Sequence, residues 1–277
     1  MSMKGSEFEG LENARHGIKV FESAEDVYFD VALDIFDLIR VNNAQGRKSV
    51  LILPVGPVKQ YENLVDLINR YRLIMKNVFV FNMDEYLTDD RQYISMDNPL
   101  SFRRFMKHGF YDKIDRELTV PEENRFFPEP GNEGKVWKKI TELGGVDVCL
   151  GGMGFNGHIA FNEPPEGGSG ISDEEFRNLP TRILRVSRET RTINSVSSTQ
   201  GDFDAIPPWC ITIGMKEILS SRKILMLMTR PWQYAIIRKA LCGPVTAKVP
   251  CSFLQEHPDV SFTVASCVVR KNQTGLV

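Results

Sequence analysis

Val146-Asp-Val-Cys-Leu-Gly-Gly-Met-Gly-Phe-Asn-Gly-His-Ile-Ala-Phe-Asn-Glu-Pro164 joins a strand to a turn, and the fold is read outward from it. The run 146–150 is short and mostly apolar, the pattern of a strand buried on both faces. Glycines at 151, 152, 154 and 157 then exclude a helix and let the backbone turn tightly. His158 leaves that turn, and Glu163 follows five residues on. An imidazole and a carboxylate just past a strand end suit general acid–base chemistry.

The same pattern repeats on both sides of this stretch. Ser49-Val-Leu-Ile-Leu53, closed by Pro54, and Asn77-Val-Phe-Val-Phe81 read as buried strands. Residues 209–213, 223–229 and 260–265 are further strand candidates. Between them lie amphipathic segments. Ser23 can cap a helix over 24–42, with Val27, Val31, Ile35 and Ile39 at helical spacing. Residues 58–75 carry Leu64, Leu67, Ile68, Tyr71 and Ile74 in the same way. Trp232 to Leu241 is helical and stops at Gly243-Pro244. Buried strands alternating with helices predict an α/β, Rossmann-like, doubly wound domain with a mainly parallel sheet covered on both faces. Residues 1–16 read as an N-terminal extension and 17–277 as one domain. Glu166-Gly-Gly-Ser-Gly-Ile-Ser-Asp-Glu-Glu175 reads as a surface loop or a lid hinge.

The 277 residues carry 34 basic and 36 acidic side chains, a formal charge of −2 with no basic stripe, so nucleic acid is not an expected partner. No apolar run approaches the roughly 20 residues that span a bilayer, and the N-terminus lacks a signal-peptide core. Five scattered cysteines fit reduced thiols in a cytoplasm. No Cys-x-x-Cys or His-x-x-x-His spacing points to a metal site.

In open parallel sheets, ligands bind beyond the carboxyl ends of the strands. Those ends here read Pro54-Val-Gly-Pro-Val-Lys59, Asn82-Met-Asp-Glu-Tyr86 and the glycine turn. Asp84, Asn156, His158 and Glu163 are thereby expected in one crevice. A partly buried Asp84 gains basicity and can take a proton from carbon beside a carbonyl. Asp84 and Glu85 can equally cap a following helix.

Phe81-Asn-Met-Asp-Glu-Tyr86, the Gly-x-Gly-x-Asn-Gly-His158-Ile-Ala-Phe-Asn-Glu163-Pro block and Cys251-Ser-Phe-Leu-Gln-Glu-His-Pro258 resemble the glucosamine-6-phosphate deaminase/isomerase family over residues 17–268. The resemblance implies a Rossmann-like fold and aldose–ketose isomerisation of an amino-sugar phosphate with ammonia release. It also implies a small-molecule sugar or sugar-phosphate partner, a homo-oligomer and no cofactor. It makes Asp84 the C2/C1 base, His158 the ring-opening group, Glu163 its electrostatic partner and Asn156 the imidazole's hydrogen-bond partner. Arg191 matches the arginine that grips phosphate. The expected substrate-binding set is Gly56, Lys59, Glu85, Gly154, Arg191, Arg230 and Gln233. A 6-phosphogluconolactonase-like hydrolase on the same scaffold and a sugar-binding regulatory protein are the competing expectations.

Three positions depart from the family. Asn156 stands where Asp is usual, although relatives of the galactosamine-6-phosphate type carry Asn. The hydroxyl-rich phosphate loop reads Val55-Gly-Pro-Val-Lys59, and Gln233 falls where a phosphate-binding lysine is expected. Lys59 or Arg230 is then the candidate replacement charge, unless the substrate bears no phosphate at that end.

Overall fold

The computed structural model describes residues 10–11, 14–167 and 170–271. In chain order its main elements are β1 (Ile18–Phe21), α1 (Ala24–Ala44), β2 (Ser49–Leu53), α2 (Gln60–Arg70), β3 (Val78–Asn82), β4 (Asp84–Leu87), α3 (Phe102–Phe105), β5 (Arg125–Phe126), α4 (Gly134–Glu142), β6 (Val148–Gly151), α5 (Asp173–Arg177), β7 (Arg182–Arg185), α6 (Arg188–Ser198), β8 (Trp209–Thr212), α7 (Met215–Leu219), β9 (Lys223–Met228), α8 (Gln233–Cys242), β10 (Val260–Ala265) and α9 (Ser266–Val269).

The continuous apolar strands are continuous because both of their faces are covered. Val50 and Ile52 of β2 join Ile224, Met226 and Met228 of β9 under α4, α7 and α8. Leu51 and Leu53 join Leu225 and Leu227 under Val31, Ile35 and Ile39 of α1 and Leu64 and Ile68 of α2. Burying each such side chain contributes roughly 1.5–3 kcal/mol. Ser23 caps α1 by accepting from the Asp26 amide at 3.1 Å. Arg72, at φ +54°, stops the next helix at Arg70, short of the apolar Tyr71 and Ile74.

Seven strands form one sheet in the order β1-β10-β9-β6-β2-β3-β5, and each pairing is parallel. From β2 the chain first builds outward through β3 and β5, then returns to the other side through β6, β9 and β10. The order reverses between β2 and β6, which places the ligand crevice beyond their carboxyl ends.

Two expectations change. Residues 209–213 do not join the parallel sheet. Trp209–Thr212 sits between β4 and β7 in a separate antiparallel sheet of order β4-β8-β7. Asp84 and Glu85 open β4, and of the two only Glu85 reaches the next helix, accepting from the Phe102 and Arg103 amides that start α3. The cause is Met83, whose amide donates to Leu53 O at 2.9 Å and whose carbonyl accepts from the Ile213 amide at 2.7 Å. One residue thus passes the chain from one sheet to the other and turns Asp84 toward the crevice floor.

The packed region also begins before residue 17. Leu11 is buried in the core, and the His16 ring hydrogen-bonds Leu254 O at 2.9 Å. Residues 1–9 and 272–277 lie outside the described residues, as do 168–169 of the expected lid segment. The rest of that segment leads into α5, which Ser172 and Glu175 close with a capping box.

Candidate active site

The β6 turn is shaped around one imidazole. A Cβ on Gly154 would overlap Cε1 and Nε2 of His158, so the ring occupies the space a side chain would take. Gly154, expected as a substrate contact, makes room for the histidine instead. His158 Nδ1 lies 2.7 Å from Asn156 Oδ1, 3.3 Å from Glu163 Oε2 and 3.3 Å from Thr190 Oγ1. Asn156 Nδ2 donates to the same Glu163 oxygen at 2.6 Å. Asn156 therefore joins the other two, its carbonyl toward the imidazole N–H and its amide N–H toward the carboxylate. With the proton on Nδ1, Nε2 presents a lone pair. Nε2 has no hydrogen-bond partner among the described residues.

Burial pushes the Glu163 carboxyl up. The charge of protonated His158 and hydrogen bonds from His158, Asn156 and Thr190 outweigh it and bring the pKa down to about 2. Glu163 stays an anion at physiological pH and stabilises positive charge on the imidazole. Its other oxygen, Oε1, is buried without a partner among the described residues.

Asp84 is the opposite kind of carboxyl. It is 6% exposed, and its oxygens have no hydrogen-bond partner among the described residues. Burial, and after it the neighbouring Glu85 charge, raises its pKa well above the usual carboxylate value. That is the environment of a proton acceptor with useful basicity. Its strand holds it beside the histidine turn. Asp84 pairs with Thr212, whose hydroxyl accepts from the Phe161 amide at 3.1 Å. Phe161 lies between His158 and Glu163 in sequence and packs against Tyr86 with ring centroids 5.5 Å apart. Burial raises the Cys210 thiol, and the Asp84 and Glu163 charges both add to it, so one buried sulfur feels both carboxylates.

Glu85 is not a substrate contact. Its Oε1 accepts from the Tyr86 and Phe102 amides at 2.8 and 3.0 Å. Its Oε2 accepts from Ser101 Oγ at 2.8 Å and from the Arg103 amide and Nε at 2.9 and 3.2 Å. It is fully buried and holds the first turn of α3 against β4.

The remaining expected contacts divide. Gly56 and Lys59 lie in the exposed loop after β2, at the switch point, where Pro57 packs so close to Gly152 that a Cβ there would stand 2.9 Å from Pro57 Cδ. Arg230 is exposed in the turn after β9. The side chains of Lys59 and Arg230 have no partner among the described residues. Gln233 is committed elsewhere: its carbonyl accepts from the Thr229 and Arg230 amides at 3.1 and 2.9 Å, and its Nε2 donates to Met153 O at 2.8 Å. Arg191 has Nε and Nη2 on Ile206 O at 3.2 and 2.9 Å, and Nη2 also on Phe203 O at 3.2 Å. Only Nη1 is left to meet an anion.

Thr190 was missed by the sequence reading. Buried in the first turn of α6, it reaches the His158–Glu163 pair from a distant element. Its one local signal is the Ser187-x-x-Thr190 spacing, in which Ser187 Oγ accepts from the Thr190 amide at 3.2 Å. Among the described residues, no group of three or more His, Cys, Asp or Glu side chains is placed to hold a metal ion, and no helix is long and apolar enough to cross a membrane.

A doubly wound α/β domain with an anchored histidine near its switch point and an isolated carboxyl on the adjoining strand has the parts of an acid–base enzyme. No family model matches the chain. It is 33% identical over 248 residues to a glucosamine-6-phosphate deaminase of Lachnoclostridium phytofermentans, covering 87% of this chain and 96% of that one. A solved monomeric glucosamine-6-phosphate deaminase of the NagB superfamily superposes with a TM-score of 0.76 at 26% identity, covering 91% of this chain and 99% of that one. A 6-phosphogluconolactonase of Thermotoga maritima shares the fold alone, with a TM-score of 0.63 at 16% identity, covering 91% of this chain and 100% of that one. The chain belongs to the glucosamine-6-phosphate deaminase family.

Proposed function

We propose that the protein converts an amino aldose to the ketose with loss of ammonia, a deamination like the one its relatives are named for. His158 Nε2 moves the proton between ring oxygen and C1 hydroxyl that opens the sugar. Asp84 takes the C2 proton, and the electron pair of the broken C–H bond forms the C1–C2 double bond as the aldehyde oxygen gains a proton. Return of the proton to C1 and loss of one proton from the C2 amine, matching the one the aldehyde oxygen took up, leave an imine at C2. One water adds there and ammonia leaves, so amino aldose plus water gives ketose plus ammonia, a net hydrolysis. Glu163, tied to the imidazole through Asn156, stabilises the imidazolium that forms on the way.

One observation carries this reading: an imidazole with a fixed tautomer and an open Nε2 sits on a turn that the Phe161–Thr212 hydrogen bond ties to the strand of Asp84, a buried carboxyl with no partner among the described residues. The experiment incubates amino sugars, free and 6-phosphorylated, in deuterated water. Ammonia and ketose are expected in equal amounts, with deuterium at C1 of the product. Hydrolysis of 6-phosphogluconolactone with no ammonia from any amino sugar overturns the reading. A cytoplasmic location and a homo-oligomer complete the proposal. Sedimentation tests the assembly, and a single-chain species, as in the monomeric relative, removes that part.

A further inference from the structure

The crevice wall formed by the loop after β2 and the turn after β9 offers an anion few hydroxyl or backbone N–H donors. Four features of it bear on what binds there. Pro54 and Pro57 bring no N–H to the loop after β2, and Val55 and Val58 bring no hydroxyl. The two amides of the β9 turn, Thr229 and Arg230, converge as an anion-binding nest does. Both already donate to the Gln233 carbonyl, at 3.1 and 2.9 Å. Gln233 then fixes the start of α8 to Met153, at the root of the histidine turn. That anchor sets the neighbouring Trp232 against Phe155, with ring centroids 6.1 Å apart at 58°.

Phe155 is the unexplained residue. It sits between Gly154, which makes room for the His158 ring, and Asn156, which binds that ring, and it is 49% exposed. Nothing in the histidine's hydrogen bonding requires an aromatic there. A large exposed apolar side chain on a catalytic turn, paired with a tryptophan from the next strand end, is a platform for the C–H face of a sugar.

Building on the amino-sugar reading above, we infer that Phe155 and Trp232 form an aromatic subsite that selects a non-phosphorylated amino sugar. The subsite holds the ring by stacking, where an anion clamp would hold a phosphate. Lys59 and Arg230, exposed and without partners among the described residues, carry the opposite reading, and phosphorylated substrates test it directly.

The test measures ammonia release from D-glucosamine and D-galactosamine and from their 6-phosphates, with wild-type protein, Phe155→Ala and Trp232→Ala. Binding of the same four sugars to Asp84→Asn protein, with and without each aromatic substitution, is followed by calorimetry. The free sugar is expected to exceed its phosphate at least about tenfold in kcat/KM. Each aromatic substitution is expected to raise KM for the free sugar about tenfold with kcat little changed, the mark of lost uniform binding. A phosphate preferred tenfold or more overturns the inference and leaves the deaminase reading standing. An unchanged KM for the free sugar in both aromatic variants overturns it as well. Ammonia from none of the four sugars removes the deaminase reading. The calorimetry then decides the subsite alone: weaker free-sugar binding without either ring supports it, and equal binding overturns it.

Discussion

At the end of β6, and at Asp84 beside it, polar atoms are left open. His158 Nε2 and the Asp84 carboxylate lack partners among the described residues, and Glu163 Oε1 is buried without one. At the end of β9 the backbone polar atoms are closed by one side chain, with Gln233 alone satisfying two amides and a carbonyl. An open polar group in a buried place costs stability and is available for chemistry; a satisfied one gives the reverse. The two regions adjoin at Met153, whose carbonyl accepts from Gln233 Nε2 at 2.8 Å, so the contrast reflects their construction and not their depth in the fold. Substitutions at the first region are expected to change activity, and those at the second stability.

The largest effect is expected at Asp84. Asp84→Asn removes the base while keeping its shape, and kcat should fall by about 10²–10⁴. Stability should move the other way. A carboxyl whose folded pKa lies above its unfolded value loses stability as the pH rises past that unfolded value. The neutral amide escapes this, so Tm near pH 7 should rise, by about 2–4 °C for each kcal/mol gained. Glu85→Gln, one residue on, should do the opposite: about 3–5 kcal/mol of stability lost as five donors face an uncharged, partly donating group. Thermal melts and kinetics on the two variants sharpen the contrast. A Tm drop in Asp84→Asn equal to that in Glu85→Gln would break it.

Gly154→Ala follows. The added Cβ displaces the imidazole, since the two occupy the same space. A misplacement of about 1 Å at the chemistry costs on the order of 10²-fold, and kcat should fall by that much with an unchanged circular dichroism spectrum. Retained activity would mean that His158 does not work from the position it occupies here.

The strands of the parallel sheet were legible because burial on both faces leaves an unbroken apolar run, as in Ser49–Leu53. β4 and β7 were not. Asp84-Glu-Tyr-Leu87 opens with two carboxylates and Arg182-Ile-Leu-Arg185 is bounded by arginines, so neither carries an apolar run or a clean alternation. In the site, His158, Asn156 and Glu163 were legible because they lie within eight residues of one turn and their link is local. The fates of Glu85, Arg191 and Gln233 were not. Each is decided by backbone groups that the fold delivers: the α3 amides, the carbonyls of Phe203 and Ile206, and the turn after β9. Residue type and spacing say that a carboxylate or a guanidinium is present, but not which backbone atoms reach it first.

Gln233→Ala probes the closed region. Two amides and the Met153 carbonyl lose their partner, at a cost of about 1–3 kcal/mol. Chemical unfolding should show that loss. Deuterium incorporation at C1, once the enzyme is saturated with substrate, should stay within about threefold of wild type. A collapse of proton transfer with no loss of stability would place Gln233 in the open region instead.

The smallest effect is expected at Asn156, where the two kinds of construction meet in one side chain. Its amide is satisfied at both ends, yet it holds the open imidazole. In Asn156→Asp the new carboxylate stands where the amide N–H now meets Glu163 Oε2 at 2.6 Å. Two carboxylates that close cannot both ionise freely, so the pair takes up a proton that Glu163 alone, held at about 2, does not carry. Glu163 contributes stability that is present above pH 4.5 and lost as the pH falls through about 2. In the variant one carboxyl of the pair titrates above its unfolded value, so stability should instead decline as the pH rises past that unfolded value. Whenever the pair holds a net negative charge, the imidazole gains a direct ionic partner in place of an amide dipole. The acid limb of the kcat/KM profile should then differ between the two proteins. Superimposable profiles for the two proteins would show that Asn156 only orients the ring and has no part in setting its basicity.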